Sequence, residues 1–207
     1  MVSEKKIGQV FIITGTSASG KSSIASAVLK KVPTLEKLVT FTTREKREGE
    51  VDGKDCHFIS TAEFERLVKD ELMAEHEKYG EHLYGSRKKD VDDLVASGKD
   101  ILLVLEPKGS LTFIEKFPNA VSFFVKAPSV EELRKRMVIR GDEQDKIVER
   151  IRLVERDLAY EKKFNFVVVN EVLDTAVEEV LKVIKEKISE EKDKTDGANE
   201  KTNGKTN

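Results

Sequence analysis

One stretch constrains this chain more than any other. Gly15-Thr16-Ser17-Ala18-Ser19-Gly20-Lys21-Ser22 satisfies every fixed position of the pattern G-x-x-x-x-G-K-[ST]. Residues 9–14, just before it, form a short continuous apolar run, as expected of a strand covered on both faces. A helix pattern follows, with Ile24, Ala27 and Val28 on one side. Glycines let the backbone between strand and helix curl until several N–H groups point at one anion. The helix N-terminus adds its dipole and its unpaired N–H groups. Lys21 brings a full positive charge to the outer phosphates of a nucleoside triphosphate. Ser22, followed by Ser23, offers a hydroxyl to Mg²⁺. The loop specifies a phosphate-rich donor and leaves the acceptor open.

The rest of the chain repeats the alternation. Apolar runs recur at 38–41, 101–105, 121–125 and 166–169, with helix-period stretches between them. That order predicts an α/β fold, with a parallel sheet and helices on both sides. Ser60 with Glu63, and Ser129 with Glu132, have capping-box spacing. The last helix carries Val177, Val180, Leu181, Ile184 and Ile188 on one stripe, with Asp174 as its expected N-cap. Two segments break the alternation. In 39–86, a charged Gly-bearing stretch and a short helix precede a hairpin expected at 72–78 and 81–84. Residues 128–162 are strongly charged and helical. Both read as insertions into a core made of 8–38, 87–127 and 163–188. From about residue 190 the chain has no large apolar side chain, so 190–207 is expected to be a disordered polar tail.

Composition excludes several classes. The 207 residues suffice for one domain with a real core. Lys+Arg (37) nearly balance Asp+Glu (39), for a net charge of −2. Neither nucleic acid nor an anionic membrane is therefore an expected partner, and any anion site must be local. No apolar run approaches the roughly 20 residues of a membrane helix. A single cysteine, Cys56, forbids an internal disulfide and suits a reducing cytosol. Three histidines and one cysteine do not make a structural zinc site.

The acceptor is written in residues 40–58, Thr-Phe-Thr-Thr-Arg-Glu-Lys-Arg-Glu-Gly-Glu-Val-Asp-Gly-Lys-Asp-Cys-His-Phe. Arg44 and Arg47 can clamp a monophosphate through bidentate, charge-assisted hydrogen bonds. With Glu75, Tyr84-Gly85-Ser86, Pro128-Ser129 and Asn170, this stretch resembles the guanylate kinase family over roughly residues 9–185. The resemblance implies a P-loop three-layer fold with an inserted mixed subdomain for the nucleoside monophosphate and a helical lid. It gives Thr40 and Tyr84 to the acceptor phosphate and Glu50 to holding an arginine. Glu75 would accept from guanine N1–H and the N2 amino group together. Adenine presents a lone pair at N1 and would be rejected. Ser86 would donate to guanine O6. Arg136 and Arg140, four apart on one helix face, and Arg150 beyond them would be lid arginines that neutralise charge in flight. Asn170 would lie beside the adenine.

The chain departs from the family pattern at several places. Cys56 replaces a tyrosine that touches the acceptor phosphate. In Val104-Leu105-Glu106-Pro107-Lys108-Gly109, a usual aspartate is Val104, a second is Glu106 and a glutamine is Lys108. Glu106 could still meet the guanine amino group or a Mg²⁺-bound water. The implied reaction is ATP + GMP ⇌ ADP + GDP with Mg²⁺, in a cytoplasmic monomer or homodimer. Rival readings are a kinase of another phosphorylated small molecule, such as ribose 1,5-bisphosphate, and a non-catalytic scaffold of the same shape. Scaffolds of this kind tend to lose the loop lysine, which is kept here. A regulatory GTPase would show Asn-Lys-x-Asp, and no such run is present.

Overall fold

The computed structural model describes residues 8–203, with side chains to residue 191. Its centre is β1 (Val10–Gly15), every residue of which is buried. Phe11 and Ile13 point into one apolar layer, Val10 and Ile12 into the other. A strand sandwiched in this way reads as a continuous apolar run rather than an alternating one. Around it lie β2 (Leu35–Lys37), β7 (Asp100–Val104), β8 (Val121–Lys126) and β9 (Phe166–Val169), in the order β2-β7-β1-β8-β9 and all parallel. On one face, α1 (Lys21–Lys31) and α7 (Leu173–Asn203) supply Ile24, Val28, Val177, Val180, Leu181 and Ile184. On the other, Val91 of α3 (Lys88–Ala96) and Phe113 of α4 (Pro107–Lys116) cover Ile12, Ile101 and Leu103.

A second, mixed sheet has the order β4-β3-β6-β5. It comprises β3 (Phe41–Thr42), β4 (His57–Phe58), β5 (Met73–Tyr79) and β6 (His82–Arg87), and α2 (Thr61–Lys69) packs on it through Phe64. Beyond β8, α5 (Val130–Ile139) and α6 (Gln144–Leu158) bury their own small core of Leu133, Met137, Ile147 and Val154. The serines at both capping boxes accept from the backbone N–H three residues on, Ser60 at 3.2 Å and Ser129 at 3.1 Å.

Four local expectations need correction. The strand expected at 38–41 is divided: β2 ends at Lys37, Leu38 drops into the core, and β3 starts at Phe41 in the other sheet. Those apolar residues mark the crossing between sheets, not one strand. The hairpin turns on Gly80-Glu81, with Gly80 at φ 59°. Its strands therefore begin one residue later than expected, at Met73 and His82. α7 starts at Leu173, which places Asp174 inside the first turn and not at the cap; there its charge still complements the helix dipole. Residues 190–203 continue α7 instead of forming a disordered tail. Glu, Lys and Ala there are good helix formers, and a Lys187–Glu190 pair of 2.8 Å supports the last turns with described side chains. Residues 204–207 of the expected tail lie outside the described residues.

Candidate active site

The carboxyl ends of the central strands open onto a cleft of about 1110 Å³. Open parallel sheets bind ligands there, where neighbouring strands lead off in opposite directions. The phosphate loop is its floor. Gly20 takes φ 97°, and a Cβ on it would lie 2.2 Å from Asn170 Nδ2. That amide donates to Ser19 O at 2.8 Å, and Asn170 O accepts from Arg136 Nη2 at 2.9 Å. Asn170 thus braces the loop from below and links it to α5. The hydroxyls of Thr16 and Ser19 are buried without a partner among the described residues. Groups left this way are costly. Both residues precede α1, whose first-turn N–H groups have no intrahelical acceptor. This donor set fits a polyphosphate. Lys21 Nζ donates to Gly15 O (2.7 Å) and Thr16 O (3.2 Å) and lies 3.4 Å from Glu106 Oε2.

Opposite the loop stands a cationic wall. Glu50 grips Arg44 through two bonds of 2.6 Å and takes the Arg47 backbone N–H at 2.8 Å. Burial opposes the Glu50 charge, but the Arg44 and Arg47 bonds outweigh it and hold its carboxyl below the usual range. Arg47 lines the cleft, and its guanidinium makes no hydrogen bond among the described residues. Thr40 Oγ1 sits 3.8 Å from Cys56 Sγ, and both line the cleft. Burial pushes the Cys56 thiol up, so it stays protonated at neutral pH. Burial, then the Glu106 charge, raises the Tyr84 phenol and keeps it a donor.

The third wall comes from α5 and α6. Arg136, Arg140 and Arg150 all reach the cleft. Arg136 Nε pairs with Glu132 at 2.8 Å. Arg140 Nε donates to Asp142 Oδ1 at 2.9 Å, its Nη2 bonds Asp142 Oδ2, and Arg150 Nη1 bonds that same oxygen. One carboxylate therefore orients two arginines, one at the C-cap of α5 and one in α6. Burial works against the Asp142 charge, yet the arginines keep its carboxyl below the usual range. Sequence reasoning named the arginines and missed Asp142. The only hint was an acid placed directly after the Gly141 turn, where φ is 83°.

The cleft thus gathers Thr16 to Ser23, Thr40, Arg44, Arg47, Glu50, Tyr84, Glu106, Arg136, Arg140, Arg150 and Asn170. Three expected site residues lie outside its lining. Gly15 is sealed in the sheet, where a Cβ would be 1.9 Å from Val125 O. Glu75 and Ser86 are 3% and 0% exposed, with Ser86 Oγ donating to Glu75 Oε1 at 2.9 Å. Glu75 Oε2 packs on Gly109, 2.4 Å from where a Cβ would be.

A triphosphate cradle facing an arginine-and-hydroxyl wall beneath further arginines is the layout of a P-loop phosphotransferase that acts between two anionic nucleotides. The comparisons agree. The guanylate kinase family model matches residues 7–187, and the chain belongs to that family. A guanylate kinase of Caldanaerobacter subterraneus subsp. tengcongensis is 38% identical over 184 residues, 88% of this chain and 89% of the relative. One from Thermus thermophilus is 37% identical over 178 residues, 86% of this chain and 80% of its own length. The crystal structure of guanylate kinase from Anaplasma phagocytophilum superposes with TM-score 0.73 at 28% identity, covering 88% of this chain and 87% of that one.

Proposed function

We propose that this protein transfers the γ-phosphoryl group of ATP to GMP, giving ADP and GDP. The observation that carries the reading is the phosphate loop and the Glu50-held Arg44, with Arg47, on facing walls of one cleft. A GMP phosphate oxygen is already anionic, so no side-chain base is needed. Catalysis is positioning and charge neutralisation. Arg44, Arg47, Thr40 and Tyr84 hold the acceptor phosphate. Lys21 and the loop N–H groups hold the donor, and Arg136, Arg140 and Arg150 meet the charge that spreads over the moving group. Among the described residues no three acidic, His or Cys side chains cluster to hold a metal alone. Mg²⁺ would ride on the ATP phosphates, with Ser22 as the protein's ligand and Glu106 facing it; when bound it neutralises phosphate charge. Glu75 shares the inner face of β5 with Glu77 and Tyr79 and pairs with Ser86, two residues along β6 from Tyr84, and both tyrosines are cleft residues. A turn of its carboxylate away from Gly109 presents it to guanine at the cleft's inner end.

The test is a coupled assay offering GMP, dGMP, AMP, UMP, CMP and ribose 1,5-bisphosphate with Mg²⁺ and ATP. GMP should be the preferred acceptor. Absence of GDP, or faster turnover of the bisphosphate, overturns the reading.

Two predictions follow from the walls. Asp142→Ala frees Arg140 and Arg150 together, so kcat should fall at least about tenfold while KM for GMP changes by less than about threefold. Steady-state kinetics with GMP varied checks both numbers. Cys56→Tyr should lower KM for GMP about tenfold, because a phenol donates to a phosphate far better than a thiol does. An unchanged or raised KM rejects the assignment of Cys56 to the phosphate wall.

A further inference from the structure

β5 buries alternate residues Glu75, Glu77 and Tyr79 on its inner face. Glu77 entered no sequence motif, yet it is 4% exposed and contacts two other elements. Its Oε2 accepts from Gly109 N–H at 2.7 Å, and its Oε1 lies 3.4 Å from Arg156 Nη2 of α6. Gly109 is the third residue of α4, so its N–H is one of the donors a helix start leaves without an internal acceptor. The residue at the α4 N-cap is Glu106, whose side chain makes no capping bond and instead lies 3.4 Å from Lys21 Nζ. Glu77 does the capping from another subdomain and leaves Glu106 to face the phosphate loop. A Cβ at 109 would stand at an ordinary 3.7 Å from Glu77 Cβ but 2.4 Å from Glu75 Oε2, so glycine there makes room for the Glu75 carboxylate.

The α6 end of the contact is equally fixed. Arg156 donates Nε (3.0 Å) and Nη2 (2.7 Å) to the fully buried Asp157 and lies over the Tyr79 ring, 5.3 Å from its centroid. Tyr79 OH donates to Asp157 Oδ2 at 2.8 Å. A buried ion pair stabilises a fold little compared with an apolar pair of the same shape. A carboxylate at this junction of β5, α4 and α6 therefore points to placement rather than bulk stability.

We infer that Glu77 is a positioning residue of the acceptor site, fixing Gly109 in the first turn of α4, against which Glu75 packs, so that β5 presents Glu75 to the base. This rests on the GMP-phosphorylating reading above. It acts on the acceptor side and not on ATP. In Glu77→Ala, KM for GMP should rise about tenfold while KM for ATP stays within about twofold. Glu77→Gln keeps a carbonyl for Gly109 N–H and should return KM for GMP to within about threefold of wild type. Circular dichroism melts of each variant separate folding from placement. If Glu77→Ala does not fold, Glu77→Asp replaces it, because it keeps the charge but lacks the reach to Gly109, and the same rise is expected. A wild-type KM for GMP in the folded variant, or parallel rises for GMP and ATP, overturns the inference while wild-type GDP formation leaves the functional reading standing. No GDP from the wild type overturns that reading instead.

Discussion

Lys21→Ala is expected to lower the turnover of GMP phosphorylation by about 10³-fold, at the upper end of what losing one preorganised charge costs an active site. The ammonium lies at the centre of the cradle, bonded to Gly15 O and Thr16 O and 3.4 Å from Glu106. It is the one full positive charge carried by the phosphate loop itself. The other cations belong to the facing wall and to α5 and α6. Arg44 is already committed to Glu50, and Arg140 and Arg150 to Asp142, so these three are not free to move into the gap. Lys21→Arg should rescue little, since a planar fork does not replace a compact ammonium inside a closed loop. Stability should change by no more than about 1 kcal/mol, because the lost bonds go to carbonyls at the edge of a solvent-filled cleft. Single-turnover rates with saturating ATP and GMP measure the effect. A loss smaller than about tenfold in a folded variant would remove the phosphate loop from the chemistry.

What could be read in the chain was local. The β1 run, the phosphate loop, both capping boxes and the hairpin near Gly80 each depend on neighbours within a few residues, and each stands within a residue or so of its expected place. The same locality explains the failures. Nothing near Leu38 states that the chain leaves one sheet there for another. A count of apolar residues could not show that Glu- and Lys-rich residues beyond 190 continue a helix already nucleated by the buried stripe of α7. In the site, the residues proposed to hold phosphate carry motif spacing. Those that hold them do not. Asp142 meets Arg150 across a turn between two helices, and Glu77 meets Gly109 and Arg156 at separations of 32 and 79 residues. Contacts of that range depend on topology, which no motif records.

The sealed position of Glu75 leads to the second large effect, in which one substitution should harm function and help folding. Its carboxyl is pushed up to about 7: burial drives the rise, the Ser86 hydrogen bond opposes it, and the Glu77 charge adds to it. In its proposed role, only the ionised form would accept from guanine N1–H and the N2 amino group together. The kcat/KM for GMP should therefore climb as pH rises through about 7 and then level off. Glu75→Gln should abolish that climb and reduce kcat/KM for GMP about 10³-fold, since a site built around two donors is left with one mismatched group. Stability moves the other way. The folded protein holds this proton up to about pH 7, whereas the unfolded chain releases it near 4.5. The contribution is thus fully present below 4.5 and lost as pH rises through about 7, a difference of roughly 3 kcal/mol. The Gln variant should melt near wild type at pH 4 and clearly above it at pH 8. Thermal melts and pH–rate profiles of the two proteins decide the matter. If the variant melts lower at pH 8 and still discriminates GMP from AMP, Glu75 is a packing residue and the base is read elsewhere.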